Sequence, residues 1–184
     1  MDPLTQIYLE NFGFDKEVWL SQQKYTINPD GSIDIDGNVY LAENQLKELP
    51  FEFGEVNGNF YCGINLLTSL KGAPKHVIGG FYCMDNKLTS LEGSPKIVDG
   101  NFYCYNNKLK TLKGGPNIVG GDFICTINHD LNNLDHLPEF VDGEVVANFT
   151  DEYIRKAREQ AANRKYIRTL SHDDEMPDVT DIFN

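Results

Sequence analysis

The chain is predicted to be a mainly β solenoid: short turns stacked on one shared core, with a small cap before them and a helix after them. Two observations predict this. A five-residue phrase recurs as Gly58-Asn59-Phe60-Tyr61-Cys62, Gly79-Gly80-Phe81-Tyr82-Cys83, Gly100-Asn101-Phe102-Tyr103-Cys104 and Gly121-Asp122-Phe123-Ile124-Cys125, each 21 residues after the last. Other columns keep the same interval: Leu46, Leu67, Leu88 and Leu109, then Leu49, Leu70, Leu91 and Leu112, with Val56, Val77, Val98 and Val119, Pro74, Pro95 and Pro116, and Asn44, Asn65, Asn86, Asn107 and Asn128. A turn this short cannot bury its apolar side alone, so consecutive turns must stack and share a core.

Residues 1–36 read as the N-terminal cap. Leu4, Ile7 and Tyr8 have helical spacing, and Asp15 is placed to cap a second short helix that carries Val18, Trp19 and Leu20. Tyr25-Thr26-Ile27, a turn at Asn28-Pro29-Asp30-Gly31, then Ile33 and Ile35 read as a β-hairpin.

Residues 37–149 read as the solenoid. Within one unit, Phe102 and Cys104 point inward from a short strand, and Asn107 follows where its amide can bond the backbone of the adjacent coil. Leu109 and Leu112 carry the core round the bend. Gly114-Gly115-Pro116 interrupts regular structure before Val119 returns to the core. The strands should form one parallel sheet, spaced about 4.8 Å. The first and last units are worn: Ile35, Gly37, Val39 and Leu41 precede the clear repeats. Leu131, Leu134, Pro138, Val141, Gly143 and Val145 follow them if one residue is inserted after Asn128. Terminal units depart from the pattern because they must close an open core.

Residues 150–170 read as a helix with Thr150 as N-cap and Tyr153, Ala157, Ala161 and Ile167 near one face. Residues 171–184 form an acidic tail, expected to be disordered, that ends in an apolar tip at Ile182 and Phe183.

The motif Phe-x-Cys-x-x-Asn-x-Leu resembles the L-x-L-x-x-N-x-L core of leucine-rich repeats. The full unit, N-x-L-x-x-L-x-G-x-P-x-x-V-x-G-x-F-x-C, is similar to repeats common in tailed phages, including the large T4-like ones, and in some bacteria. The resemblance spans residue 33 to about residue 149. It implies a short right-handed leucine-rich-repeat-like coil whose concave face recognises a partner, with no ligand shared across the family. The Gly-x-Pro stretch departs from longer repeats and implies extended or turn-like backbone where they carry a helix.

Composition narrows the function. The formal net charge is −12 over 184 residues. Residues 1–149 hold 20 acidic and 10 basic side chains, and every arginine (Arg155, Arg158, Arg164, Arg168) lies in the C-terminal helix. An acidic body repels phosphate, which disfavours nucleic acid as a partner of the repeats. No apolar run reaches the roughly 18 residues of a membrane span. The N-terminus lacks a basic segment followed by an apolar one, and the expected compartment is the cytoplasm, with reduced thiols; that is the host cytoplasm if the chain is phage-encoded.

The expected binding site is the column between Phe and Cys: Tyr40, Tyr61, Tyr82 and Tyr103, bordered by Asn59 and Asn101 on one side and by Met84 and Tyr105 on the other. Alternation places it outward, and tyrosine offers a large rigid surface with a polar tip at low entropic cost. The bland account is that these tyrosines stack on one another and serve only the sheet. Arg155 and Arg158 on the helix, and Ile182 and Phe183 at the tail, are secondary binding candidates. Cys62, Cys83, Cys104 and Cys125 point into the core and lack the close pairing that zinc requires. Ser32 to Glu43 spaces oxygens like a calcium loop, but Ser32 replaces the first aspartate and the repeat already claims Ile35, Gly37 and Val39. His129 and His136 lie near Asp130 and Asp135 without a nucleophile. The reading is a non-enzymatic module with no cofactor and no metal that binds a protein. The competing reading is an assembly component that associates with itself.

Overall fold

The computed structural model describes residues 14–171. The helical spacing at Leu4, Ile7 and Tyr8 and the tail from residue 172 lie outside them. A short helix α1 (Lys16–Ser21) is followed by a hairpin of β1 (Tyr25–Ile27) and β2 (Ile33–Ile35). Then come β3 (Val39–Tyr40), β4 (Phe53–Val56), β5 (Phe60–Tyr61), β6 (His76–Val77), β7 (Phe81–Tyr82), β8 (Ile97–Val98), β9 (Phe102–Tyr103), β10 (Ile118–Val119), β11 (Phe123–Ile124), β12 (Phe140–Val141) and β13 (Val145–Val146). Helix α2 (Asp151–Ser171) closes the described chain.

The strands form a solenoid of about five turns with two sheets where the sequence led us to expect one. Strands β3, β5, β7, β9, β11 and β13 make the expected parallel sheet from the Phe-x-Cys segment. The additional sheet runs β1-β2-β4-β6-β8-β10-β12 and uses the residues around each repeat valine. A two-residue strand such as Ile97–Val98 is too short to show alternation in the sequence. It pairs because stacked coils in register carry it alongside Val77 and Val119. In the last turn Val119 pairs with Val141 and Phe123 with Val145, which is the one-residue insertion expected after Asn128.

The core lies between the two sheets. Phe60, Phe81, Phe102 and Phe123 are fully buried and stack at 5.3, 5.4 and 5.4 Å between ring centroids. Cys62, Cys83, Cys104 and Cys125 line up beside them as buried free thiols. The leucine and valine columns complete the filling. Burial raises the thiol pKa of all four, and that of Cys125 is pushed up to about 12.

The buried asparagines tie coil to coil. The Asn86 side-chain amide donates to the carbonyls of Cys62 (3.0 Å), Cys83 (3.2 Å) and Met84 (3.2 Å), while its oxygen accepts from Leu67 N–H (2.9 Å). Asn65, Asn107 and Asn128 repeat the arrangement. The bend before each asparagine is left-handed at Glu43, Ile64, Asp85, Asn106 and Ile127, with φ between 51° and 61°.

Of the expected cap elements, the second short helix and the hairpin form among the described residues. Asp15 accepts from the backbone N–H of Glu17 and Val18, both at 3.0 Å, and so starts α1. The hairpin loop Pro29-Asp30-Gly31 closes with Asn28 N–H donating to Ser32 O at 2.8 Å, and Gly31 takes the left-handed φ of 84° that the loop requires. Thr150 Oγ1 accepts from Tyr153 N–H at 3.3 Å at the start of α2. Ala157 and Ala161 are buried on the end of the core.

Candidate binding face

The outward column of the six-stranded sheet is a row of aromatic rings. Tyr40 and Tyr61 stack at 5.2 Å with a 2° interplanar angle, and Tyr61 and Tyr82 at 4.8 Å and 7°. Tyr103 turns edge-on to Tyr82 at 5.3 Å and 77°, and Tyr105 lies tilted against Tyr103 at 6.3 Å. The structure therefore brings Tyr40, Tyr61, Tyr82, Tyr103 and Tyr105 into one continuous row. Tyr40, at its start, is 58% exposed; Tyr61, Tyr82 and Tyr103 are half-buried.

Each phenol whose partner is seen leans back toward the residue two places before it. Asn38 donates to the Tyr40 hydroxyl at 2.9 Å and Asn101 to the Tyr103 hydroxyl at 3.1 Å. The Tyr82 ring lies where a side chain at Gly80 would stand. Both faces of Tyr61 are thus covered by neighbouring rings, so the middle of the row offers ring edges and hydroxyls. It is poorly suited to a flat base or sugar that needs an open ring face. Burial, then the neighbouring Tyr61 and Tyr103, holds the Tyr82 phenol above its ordinary pKa, against the lowering effect of the Asn101 hydrogen bond.

The bordering residues have additional structural work. Asn38 Oδ1 accepts from Asn59 N–H (2.8 Å), Asn59 Oδ1 from Gly80 N–H (2.7 Å), and Asn101 Oδ1 from Asp122 N–H (2.8 Å). These side chains form a second inter-coil ladder at the corner of the sheet. The sequence shows the column, but not that its oxygens are engaged. Met84 packs against Gly63 of the preceding coil, where a Cβ would meet its sulfur at 2.9 Å.

The secondary candidates lie elsewhere. On α2, Arg155 pairs with Glu159 one helical turn on, at 2.6 Å. Arg158 donates to the carbonyls of Val141 (2.9 Å) and Gly143 (3.3 Å) in the last coil. Ile182 and Phe183 lie outside the described residues. His129 and His136 are exposed. Sequence reasoning passed over His76, whose ring nitrogens face Asp99 at 3.1 Å and Glu55 at 3.8 Å on the outer face of the seven-stranded sheet. Its signal was available, because Glu55 and His76 share a column one repeat apart. Among the described residues no group of three or more His, Cys, Asp or Glu side chains is placed to hold a metal ion, and no helix is long and apolar enough to cross a membrane.

In comparisons with protein-family models, curated proteins and solved structures, nothing matches this chain.

Proposed function

We propose that the chain is a non-catalytic protein-binding module whose partner docks on the row Tyr40, Tyr61, Tyr82 and Tyr103. The observation that carries this reading is the stacking of those rings into a pre-ordered outward surface. Side chains already held in place lose little entropy on binding, and phenol edges with hydroxyl tips suit the apolar and polar groups of a protein surface. Stacking also serves the sheet, but sheet stability alone does not call for tyrosine at an outward position. The β-branched Ile124 and Val146 occupy the same column at the far end.

The resemblance of the 21-residue unit to leucine-rich repeats of tailed phages extends the proposal. On that analogy the chain is a phage-encoded modulator of host machinery, including anti-phage defence, acting in the host cytoplasm. Affinity capture from bacterial lysate, with wild type beside a Tyr61/Tyr82/Tyr103→Ala variant shown to fold, tests both parts. A protein captured by wild type and lost by the variant supports the tyrosine row, and its identity names the process. Equal capture by both removes the row from the proposal.

A further inference from the structure

A solenoid has two open ends, and here each sheet leaves an edge at each end. Two of these four edges are met by a hydrogen-bonding side chain of the described residues, and at a third α2 joins the core. At the start of the six-stranded sheet, the Trp19 indole N–H donates to Tyr40 O at 3.1 Å. At the far end of the seven-stranded sheet, Arg158 holds the carbonyls of Val141 and Gly143. Beside β13, Ala157 and Ala161 of α2 close the core. The fourth edge is the outer side of β1, where no described residue pairs and all three residues are exposed.

The polarity of that edge follows from the hairpin. Asp36 N–H donates to Lys24 O and Asn28 N–H to Ser32 O, so the pairs 24–36, 26–34 and 28–32 are the hydrogen-bonded ones. On the far side of β2, Ile33 N–H donates to Glu52 O and Ile35 O accepts from Asn57 N–H, which fits the same alternation. The N–H and C=O groups of Tyr25 and Ile27 therefore point away from β2 into the open. Their side chains are 42% and 63% exposed.

We propose that β1 is a self-association edge: it pairs antiparallel with β1 of a second copy about a twofold axis through Thr26. This goes beyond the tyrosine-row reading and does not depend on it, since β1 belongs to the other sheet. In that register Tyr25 faces Ile27 of the second copy and Ile27 faces its Tyr25. Both residues carry outward backbone groups, so four N–H···O=C bonds form at once. The two cross-strand pairs are aromatic with β-branched, a favourable combination in sheets. Charge does not oppose it. Antiparallel pairing brings Lys24 of each copy to the end of the strand that carries the other's Asp30 turn; Lys24 is already paired with Asp36 and Asp30 with Lys75, so no unpaired like charges are brought together. Self-pairing is the fit favoured over an unrelated strand because an isologous contact satisfies every one of these groups with the same three residues. A three-residue edge buries little area, so the dimer is weak and concentration-dependent.

Sedimentation velocity of the full chain from low micromolar to near-millimolar concentration tests this. The expected result is a rise in apparent mass toward twice that of the monomer. Ile27→Pro deletes an outward N–H without touching the β2 pairing, and Ile27→Lys places a charge on the edge. Both variants, with wild-type melting curves, are expected to stay monomeric throughout. The Tyr61/Tyr82/Tyr103→Ala variant is expected to dimerise like wild type, which separates this interface from the tyrosine row. A wild type that stays monomeric across the range overturns the proposal. So does dimerisation undiminished in the folded Ile27 variants, or lost in the folded tyrosine variant alone.

Discussion

The indole N–H of Trp19 donates to the backbone carbonyl of Tyr40 at 3.1 Å, in the position where an earlier coil would have supplied a backbone N–H. The pattern inside the solenoid shows this: Leu41 N–H donates to Tyr61 O and Cys62 N–H to Tyr82 O, so each coil's carbonyl is met by the coil before it. Tyr40 has no preceding coil, and α1 delivers the indole in its place. The ring is buried against Phe14, Phe51 and Phe53 at centroid distances of 5.9 to 6.4 Å.

Replacing Trp19 by Phe keeps an aromatic ring and removes the donor. Leaving that carbonyl unpaired should destabilise the fold by about 1–3 kcal/mol. Trp19→Ala also loses the packing and should cost about 3–5 kcal/mol. Urea denaturation of the two variants checks the order; a Trp19→Phe variant as stable as wild type would show that the hydrogen bond contributes nothing.

Arg158 plays the corresponding part at the other end. Asp142 N–H donates to Val119 O and Gly143 N–H to Gly121 O, so the next carbonyls along, those of Val141 and Gly143, would bond a further coil. The guanidinium meets both. Its head is exposed, so water competes, and Arg158→Ala is expected to cost only about 1 kcal/mol globally. The larger effect should be local. Hydrogen exchange in α2 is expected to quicken while exchange in β5 to β9 does not change. Unchanged protection of α2 would count against the docking role.

The repeat columns made the coil, its core and the inter-coil asparagines legible, because a period of 21 residues is repeated often enough to separate inward from outward positions. Asp15, Thr150 and the Asn28–Gly31 turn were legible for a different reason: each acts on backbone only a few residues away. The second sheet was not, since Ile97–Val98 is too short to carry a pattern of its own. Nor were the partners of Trp19 and Arg158. Each meets a carbonyl orphaned by the end of the stack, and such an orphan exists only once the coils are assembled. For the candidate face, the sequence identified the tyrosine column but not that the rings cover one another, which changes what the row can bind.

The asparagine ladder should contribute unequally along its length. Asn86 is buried and makes four bonds across two coils, so Asn86→Ala leaves the Leu67 N–H without a partner and takes one of two donors from each of the Cys62, Cys83 and Met84 carbonyls; a loss of about 2–3 kcal/mol is expected. Asn44 is half-buried, and its side chain donates only to Ala42 O at 2.7 Å, so Asn44→Ala should cost about 1 kcal/mol or less. Chemical denaturation of both variants compares them, and similar losses would refute the ladder as an inter-coil tie.

Ile64 stands at a left-handed bend with φ of 54°, where the next coils carry Asp85 and Asn106. Its side chain is 48% exposed and so gains little from packing. A β-branched residue strains such backbone by roughly 1–2 kcal/mol, which asparagine largely avoids. Ile64→Asn is therefore expected to stabilise the protein by about 1 kcal/mol. Asp85→Ile should destabilise it by more, because it also loses the hydrogen bond that Asp85 accepts from Asn106. A melting temperature lowered by Ile64→Asn would mean that Ile64 makes a contact worth more than its strain.

The four core thiols predict an alkaline limit to stability. Burial raises each pKa in the folded state well above the ordinary 9.0, while the unfolded chain releases its thiol protons near that value. Between the two values the native state holds more protons than the unfolded state, so unfolding free energy falls as pH rises. The contribution is fully present below about pH 8 and declines above pH 9. By pH 10 each thiol that stays protonated in the fold has given up roughly 1.4 kcal/mol, so the four together give up about 6 kcal/mol. Urea denaturation between pH 7 and pH 10 under reducing conditions measures the slope. Replacing Cys83 and Cys104 by alanine should reduce it by about half, even though the variant starts less stable. An unchanged slope would assign the alkaline loss to other groups, of which Tyr82, also raised by burial, is the first to examine.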